Sequence, residues 1–151
     1  MKFKTSIFVV IAVLSLLELS VAQPPQNSCS NRSAKGTYGC SSSGFVGDQP
    51  CAAYGVVTGD GKGQWNGYGT VSLNGTILPW THNTRPTEPS TVNPDCTGAV
   101  TYEVTLGGQP APDAHFQFVI VDDGREVKGF PADPGYAASC QLILEKNKDR
   151  K

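Results

Sequence analysis

The chain reads as an all-β protein, an antiparallel up-and-down barrel of about eight strands. Two observations carry that reading. No stretch shows helical periodicity; instead, short segments rich in Val, Thr, Tyr, Phe and Ile are punctuated by 17 glycines and 11 prolines. The punctuation also falls at turn-forming sequences, above all Asn74-Gly75, the strongest short hairpin signal.

The elements follow in order. Residues 1–22 have the build of a secretory signal peptide: Lys2 and Lys4 at the start, an apolar run from Ile7 to Leu17, and small residues at Ser20 and Ala22 before the cleavage point. An uncleaved anchor is the competing reading, against which the short core and Glu18 count. Cleavage starts the mature chain at Gln23 and implies a secreted protein without membrane attachment. Residues 23–35, with Pro24 and Pro25, form an extended lead-in, 36–146 the barrel domain and 147–151 a frayed basic tail.

Within the domain, strands are expected at Gly36–Phe45, Cys51–Thr58, Gln64–Leu73, Thr76–Asn83, Ala99–Leu106, Ala114–Val121, Arg125–Phe130 and Ala137–Glu145. A short piece at Thr91-Val92 enters the turn Asn93-Pro94-Asp95-Cys96-Thr97-Gly98, and Gly107–Asp113, with Pro110 and Pro112, reads as a loop. Connections are mostly short, so sequence neighbours should pair antiparallel. Such a meander can close into a barrel or stack as two sheets. The scarcity of long crossovers favours the barrel.

Alternation sorts the faces. Val100, Tyr102, Val104 and Leu106 share one face, as do Phe116, Phe118 and Ile120, with His115 and Gln117 opposite. Cys140, Leu142 and Leu144 point in, Trp65 falls with Val71 and Leu73, and Trp80 falls with Leu78 and His82. The expected interior is aromatic and nearly free of charge. Tyr54, Trp65, Trp80, His82, Tyr102 and Phe118 are its expected ligand-facing residues.

Five cysteines, Cys29, Cys40, Cys51, Cys96 and Cys140, meet oxidising conditions after export, so disulfides are expected. An odd count leaves one thiol over, and many pairings satisfy it. Cys40–Cys51 is the expected bridge, because these residues flank the first hairpin. No CxxC or Cys/His spacing points to a metal, and no motif calls for a cofactor. Asn31-Arg32-Ser33 and Asn74-Gly75-Thr76 are glycosylation sequons, so Asn31 and Asn74 are candidate acceptors. Loss of Lys2, Lys4 and Glu18 leaves a small acidic excess, which provides no footprint for nucleic acid or anionic lipid.

The phrases Thr91-Val92-Asn93-Pro94-Asp95-Cys96-Thr97-Gly98 and Val119-Ile120-Val121-Asp122-Asp123-Gly124-Arg125-Glu126, and the opening Gly36-Thr37-Tyr38-Gly39 with Gly44-Phe45, resemble recurring phrases of small exported β proteins of bacteria and fungi. Those proteins are similar to lipocalin-type or allene-oxide-cyclase-type barrels, and the resemblance spans most of the mature chain. Gly63-Gln64-Trp65 resembles the Gly-x-Trp of lipocalins, but opens an inner strand instead of the first. The shared phrases are turns; they imply a fold and carry no catalytic residue across.

No reaction is written in the chain. There is no Gly-x-Ser-x-Gly elbow, no phosphate loop before a helix, and the aspartates sit in turn segments. His82 is the one candidate for acid–base work or for a hydrogen bond to a ligand; a structural histidine at the barrel mouth is the competing account. Three functions stay open: a carrier of a small apolar molecule, a cofactor-free cyclase or isomerase, and a structural or interaction protein with a solid core.

Overall fold

Every strand of the expected meander finds its sequence neighbour, and the ring is closed at both joins. The computed structural model describes residues 28–145. Its strands are β1 Gly36–Val46, β2 Gln49–Gly59, β3 Trp65–Leu73, β4 Thr76–Thr84, β5 Thr91–Val92, β6 Thr97–Leu106, β7 Gln109–Val121, β8 Glu126–Pro131 and β9 Tyr136–Leu144. The sheet runs β4-β3-β2-β1-β9-β8-β7-β6-β5, and β4 also pairs with β6. Eight strands therefore close an antiparallel up-and-down barrel, with two-residue β5 laid beside β6. Closure removes the exposed edges that an open meander would carry. The signal segment, the start of the lead-in and residues 147–151 lie outside the described residues.

The β3–β4 hairpin shows how local sequence sets register. Asn74 and Gly75 both take positive φ, 46° and 84°, the backbone hand that a two-residue hairpin loop needs. That turn fixes Leu73 opposite Thr76 and carries Val71 to Leu78, Gly69 to Trp80 and Gly67 to His82.

One expected loop is a strand. β7 begins at Gln109, so Pro110 and Pro112 lie within it. Only Phe116–Val121 of β7 pairs with β8, which leaves the first half of the strand bonded on the β6 side alone. Proline is tolerated where one side of a strand has no ladder, and the register shift between Tyr102 and Val104 takes up the irregularity.

The two ends of the barrel differ. At one rim the strands turn back through short hairpins, β1–β2, β3–β4, β6–β7 and β8–β9. The other rim carries the longer connections and is covered by the segment before β1. A 3-10 turn at Asn31–Ala34 lies there with Ala34 fully buried. Cys29 is bridged to Cys96, tying that segment to the connection before β6. The expected Cys40–Cys51 bridge is absent. Cys40 pairs with Gly55 and Cys51 with Gly44, so the two sit four register positions apart on neighbouring strands, well beyond disulfide reach.

Candidate functional site

The interior is built from alternate residues, as the pleat dictates. Beneath the covered rim it is solid: Tyr38, Val57, Trp65, Val100, Ile120, Val127 and Leu142 are buried. The rings of Tyr38 and Phe118 flank Trp65, each at a centroid separation of 6.0 Å. The polar atoms here are paired. Trp65 Nε1 donates to Ser90 Oγ at 3.1 Å, and the Ser90 hydroxyl donates to Asn31 Oδ1 at 3.1 Å. The Tyr38 hydroxyl donates to the Gly124 carbonyl at 3.0 Å. Trp65, expected as pocket lining, is thus a core residue at the covered end, and Phe118 packs partly buried against it.

Asn31 is half-buried and occupied in the same network, its Nδ2 donating to the Ser90 carbonyl at 3.1 Å. A Cβ added to Gly63 would stand 3.1 Å from that amide. Asn74 sits at an exposed hairpin tip.

The middle of the barrel holds the expected candidates. His82 lies flat on Tyr102, with centroids 4.0 Å apart and planes 9° from parallel. Trp80 follows at 5.1 Å from His82, and Phe116 meets Tyr102 edge-on at 5.6 Å. Both β4 rings lean across the neighbouring strands because glycine makes space for them. A Cβ on Gly67 would stand 2.5 Å from His82 Nε2. One on Gly69 or Gly55 would stand 2.8 or 2.7 Å from Trp80 Cζ2. Sequence reasoning took the glycines as turn punctuation and missed this trough. Its signal is the period-two run Trp65-x-Gly67-x-Gly69-x-Val71, glycine recurring on the inward face of a strand.

Trp80 Nε1 and His82 Nε2 are buried without a hydrogen-bond partner. Leaving such groups unpaired costs about 1–3 kcal/mol each, a contrast with the saturated covered end. Burial pulls the His82 pKa down to about 4, so the imidazole is neutral at neutral pH. Burial also pushes the Tyr102 phenol up, and the nearby Cys140 and Cys40 sulfurs add to that.

Tyr54 does not belong to this group. It points outward and is 68% exposed. The inward set of β2 is Cys51, Ala53, Gly55 and Val57, as their pairing with Leu73, Val71, Gly69 and Gly67 requires. Cys51-Ala52-Ala53-Tyr54-Gly55-Val56-Val57 is apolar in both parities, so alternation alone does not choose a face there.

Toward the open rim the inward residues change character. Val71, Leu73, Leu78, Val104 and Leu106 form an aliphatic wall on β3, β4 and β6, and all of them remain partly exposed. Facing strands β1, β2 and β9 contribute the small Ser42, Gly44, Ala53 and Ala138. Large side chains on one wall therefore face small ones on the other, above the Trp80–His82–Tyr102 stack. By register, the inward face of the described barrel strands carries no Asp, Glu, Lys or Arg.

Two open grooves lie on the outer wall among the described residues, and neither adjoins His82. One, about 580 Å³, crosses β6, β7 and β8 between Ala99, Gln117, Lys128 and Phe130. The other, about 480 Å³, is lined mainly by serines of β1 and β9, with Gln141 and Lys128. The second histidine, His115, is exposed, and its Nδ1 meets Asp133 Oδ1 at 2.6 Å. The His115 backbone N–H, foremost, holds the Asp133 carboxyl below the usual range. Among the described residues, no cluster of three or more His, Cys, Asp or Glu offers a metal site.

Comparison with known proteins gave no match to a family model, to a curated protein or to a solved structure.

Proposed function

We propose that the protein is a secreted β-barrel that binds a small apolar molecule in a cup at its open rim, with Trp80, His82 and Tyr102 as the floor. One observation carries this reading: the inward aliphatic side chains Val71, Leu73, Leu78 and Leu106 stay partly exposed although they face the barrel axis. Apolar surface left to water in a concave, uncharged wall gains by covering it, at roughly 25 cal/mol per Å². Of the two barrel types that the sequence resembles, a lipocalin-like carrier fits better than a cyclase. The floor holds a neutral imidazole with no carboxylate beside it, a poor arrangement for moving protons. The apolar start of the chain and the Cys29–Cys96 bridge both favour an exported protein.

Titration with the fluorescent apolar probe 1-aminoanthracene tests the reading. Leu78→Asn and Leu106→Asn should each weaken probe binding at least tenfold, and Phe130→Ala on the outer wall should leave it unchanged. The reverse pattern would transfer the binding surface to the outer groove and leave the barrel interior as a solid core.

A further inference from the structure

Cys40 and Cys140 lie on β1 and β9, the first and last strands of the ring, and both face inward. Cys40 is opposite Leu142 and Cys140 opposite Ser42, so the two are diagonal neighbours across the closing seam. Their sulfurs are 3.6 Å apart, in contact and converging. Cys51 faces the open rim next to Gly44 and Leu73, away from this pair. Along the seam between the pair and the rim the inward residues are the small Ser42, Gly44 and Ala138, then Val46 and Tyr136 at the rim itself. Both cysteines remain partly exposed.

We propose that Cys40 and Cys140 form a second disulfide, a staple inside the barrel that joins its first strand to its last, with Cys51 as the remaining free thiol. Diagonal positions on neighbouring strands stand about 7–8 Å apart, at the edge of disulfide reach, so closing the 3.6 Å sulfur contact draws β1 and β9 slightly together as both side chains rotate. The oxidant is a disulfide of the exporting compartment, of protein or glutathione type. The Cys40 thiolate attacks one sulfur of that disulfide, and the other sulfur leaves as a thiol. The Cys140 thiolate then attacks Cys40 in the mixed disulfide and releases the second thiol. Two electrons and two protons pass to the oxidant, and one S–S bond is made for the one broken. A hydrogen bond from Cys140 holds the Cys40 thiol below its ordinary pKa, which suits Cys40 to the first attack. The pairing accounts for the odd cysteine count: two bridges and one thiol at the rim. It does not depend on the ligand reading.

The test uses the full chain purified without reductant, unfolded in N-ethylmaleimide and weighed intact. One maleimide adduct is expected, on Cys51. Proteolysis without reduction should then yield the peptide of Cys140 joined to that of Cys40, located by fragmentation. Trypsin leaves Cys40 and Cys51 on one peptide, so the Cys51→Ala chain provides the second check, and the link should persist in it. Three adducts, unchanged after incubation with oxidised glutathione, would overturn the proposal. So would a link that fragmentation places on Cys51, or glutathione retained on Cys40 without transfer to Cys140.

Discussion

The covered end and the open end of this barrel are made from the same strands, yet they settle their interiors in opposite ways. At the covered end Trp65, Tyr38 and Val57 are buried, the indole nitrogen and the phenol have partners, and the Cys29–Cys96 bridge holds the preceding segment in place. At the open end, aliphatic side chains face the axis but still see water, above two buried nitrogens without partners. The first arrangement maximises burial and hydrogen bonding, and so stability. The second forgoes both within a concave surface, which is the expected condition of a binding site. On the proposed reading, stability and recognition are divided along the barrel axis instead of between core and loops.

Substitutions along the axis should reproduce that division. The largest effect is expected for Trp65→Ala, at about 4 kcal/mol of stability, because it opens a cavity among buried rings and strips the Ser90 hydroxyl of its donor. Urea unfolding measures it, and a loss below about 1 kcal/mol would mean that the covered end is not the stable half.

Acid should act on the middle layer. The folded His82 pKa of about 4 lies below the ordinary value of 6.5, so the unfolded chain takes up the proton first. Stability should therefore be level above pH 6.5 and fall as the pH drops toward 4, by roughly 3 kcal/mol in all. Below pH 4 this contribution flattens. Urea midpoints across that range should show the slope, and His82→Phe, which keeps the stack on Tyr102, should abolish it.

Gly67→Ala sharpens the same boundary. Its methyl group would press on His82 Nε2 and on the Val56 carbonyl, 3.0 Å away. We expect a cost of about 2 kcal/mol and a changed near-ultraviolet spectrum as the imidazole is pushed off Tyr102. An unchanged spectrum would show that the trough has slack. The smallest stability effect is expected at the rim, where Leu106→Asn should cost less than about 1 kcal/mol, because the side chain is already partly hydrated. Its effect should fall on probe binding instead, and a large loss of stability there would erase the contrast between the ends.

Much of this architecture was legible in the chain because each strand reports its face through period-two alternation. Val100 to Leu106 and Phe116 to Ile120 alternate cleanly, and both lie inward as read. Trp80, His82 and Tyr102 could therefore be brought together from sequence. Tyr54 could not be placed, because β2 is apolar on both faces and the choice is made by the space that Trp80 needs over Gly55 and Gly69. The start of β7 was hidden for a different reason: proline argues against a strand only if both of its sides are bonded. Cysteine pairing depends on which strands the ring brings together. The contact between Cys40 and Cys140 spans 100 residues and follows from closure, which no local pattern encodes.

The order of pairing has a kinetic consequence. Seven of the eight joins in the ring link strands adjacent in the meander, apart from the small detour through β5, and each can form as soon as its second strand is available. The eighth, β1 with β9, brings Tyr38 beside Leu144 and waits for the whole sheet. Until then the chain is a curled ribbon with two bare edges, of the kind that adds strands from other molecules. Loop-closure entropy makes this last contact the slow one. The vulnerable interval in the life of this protein is therefore the time before β9 closes on β1, when a crowded or truncated chain finds a neighbour's edge before its own.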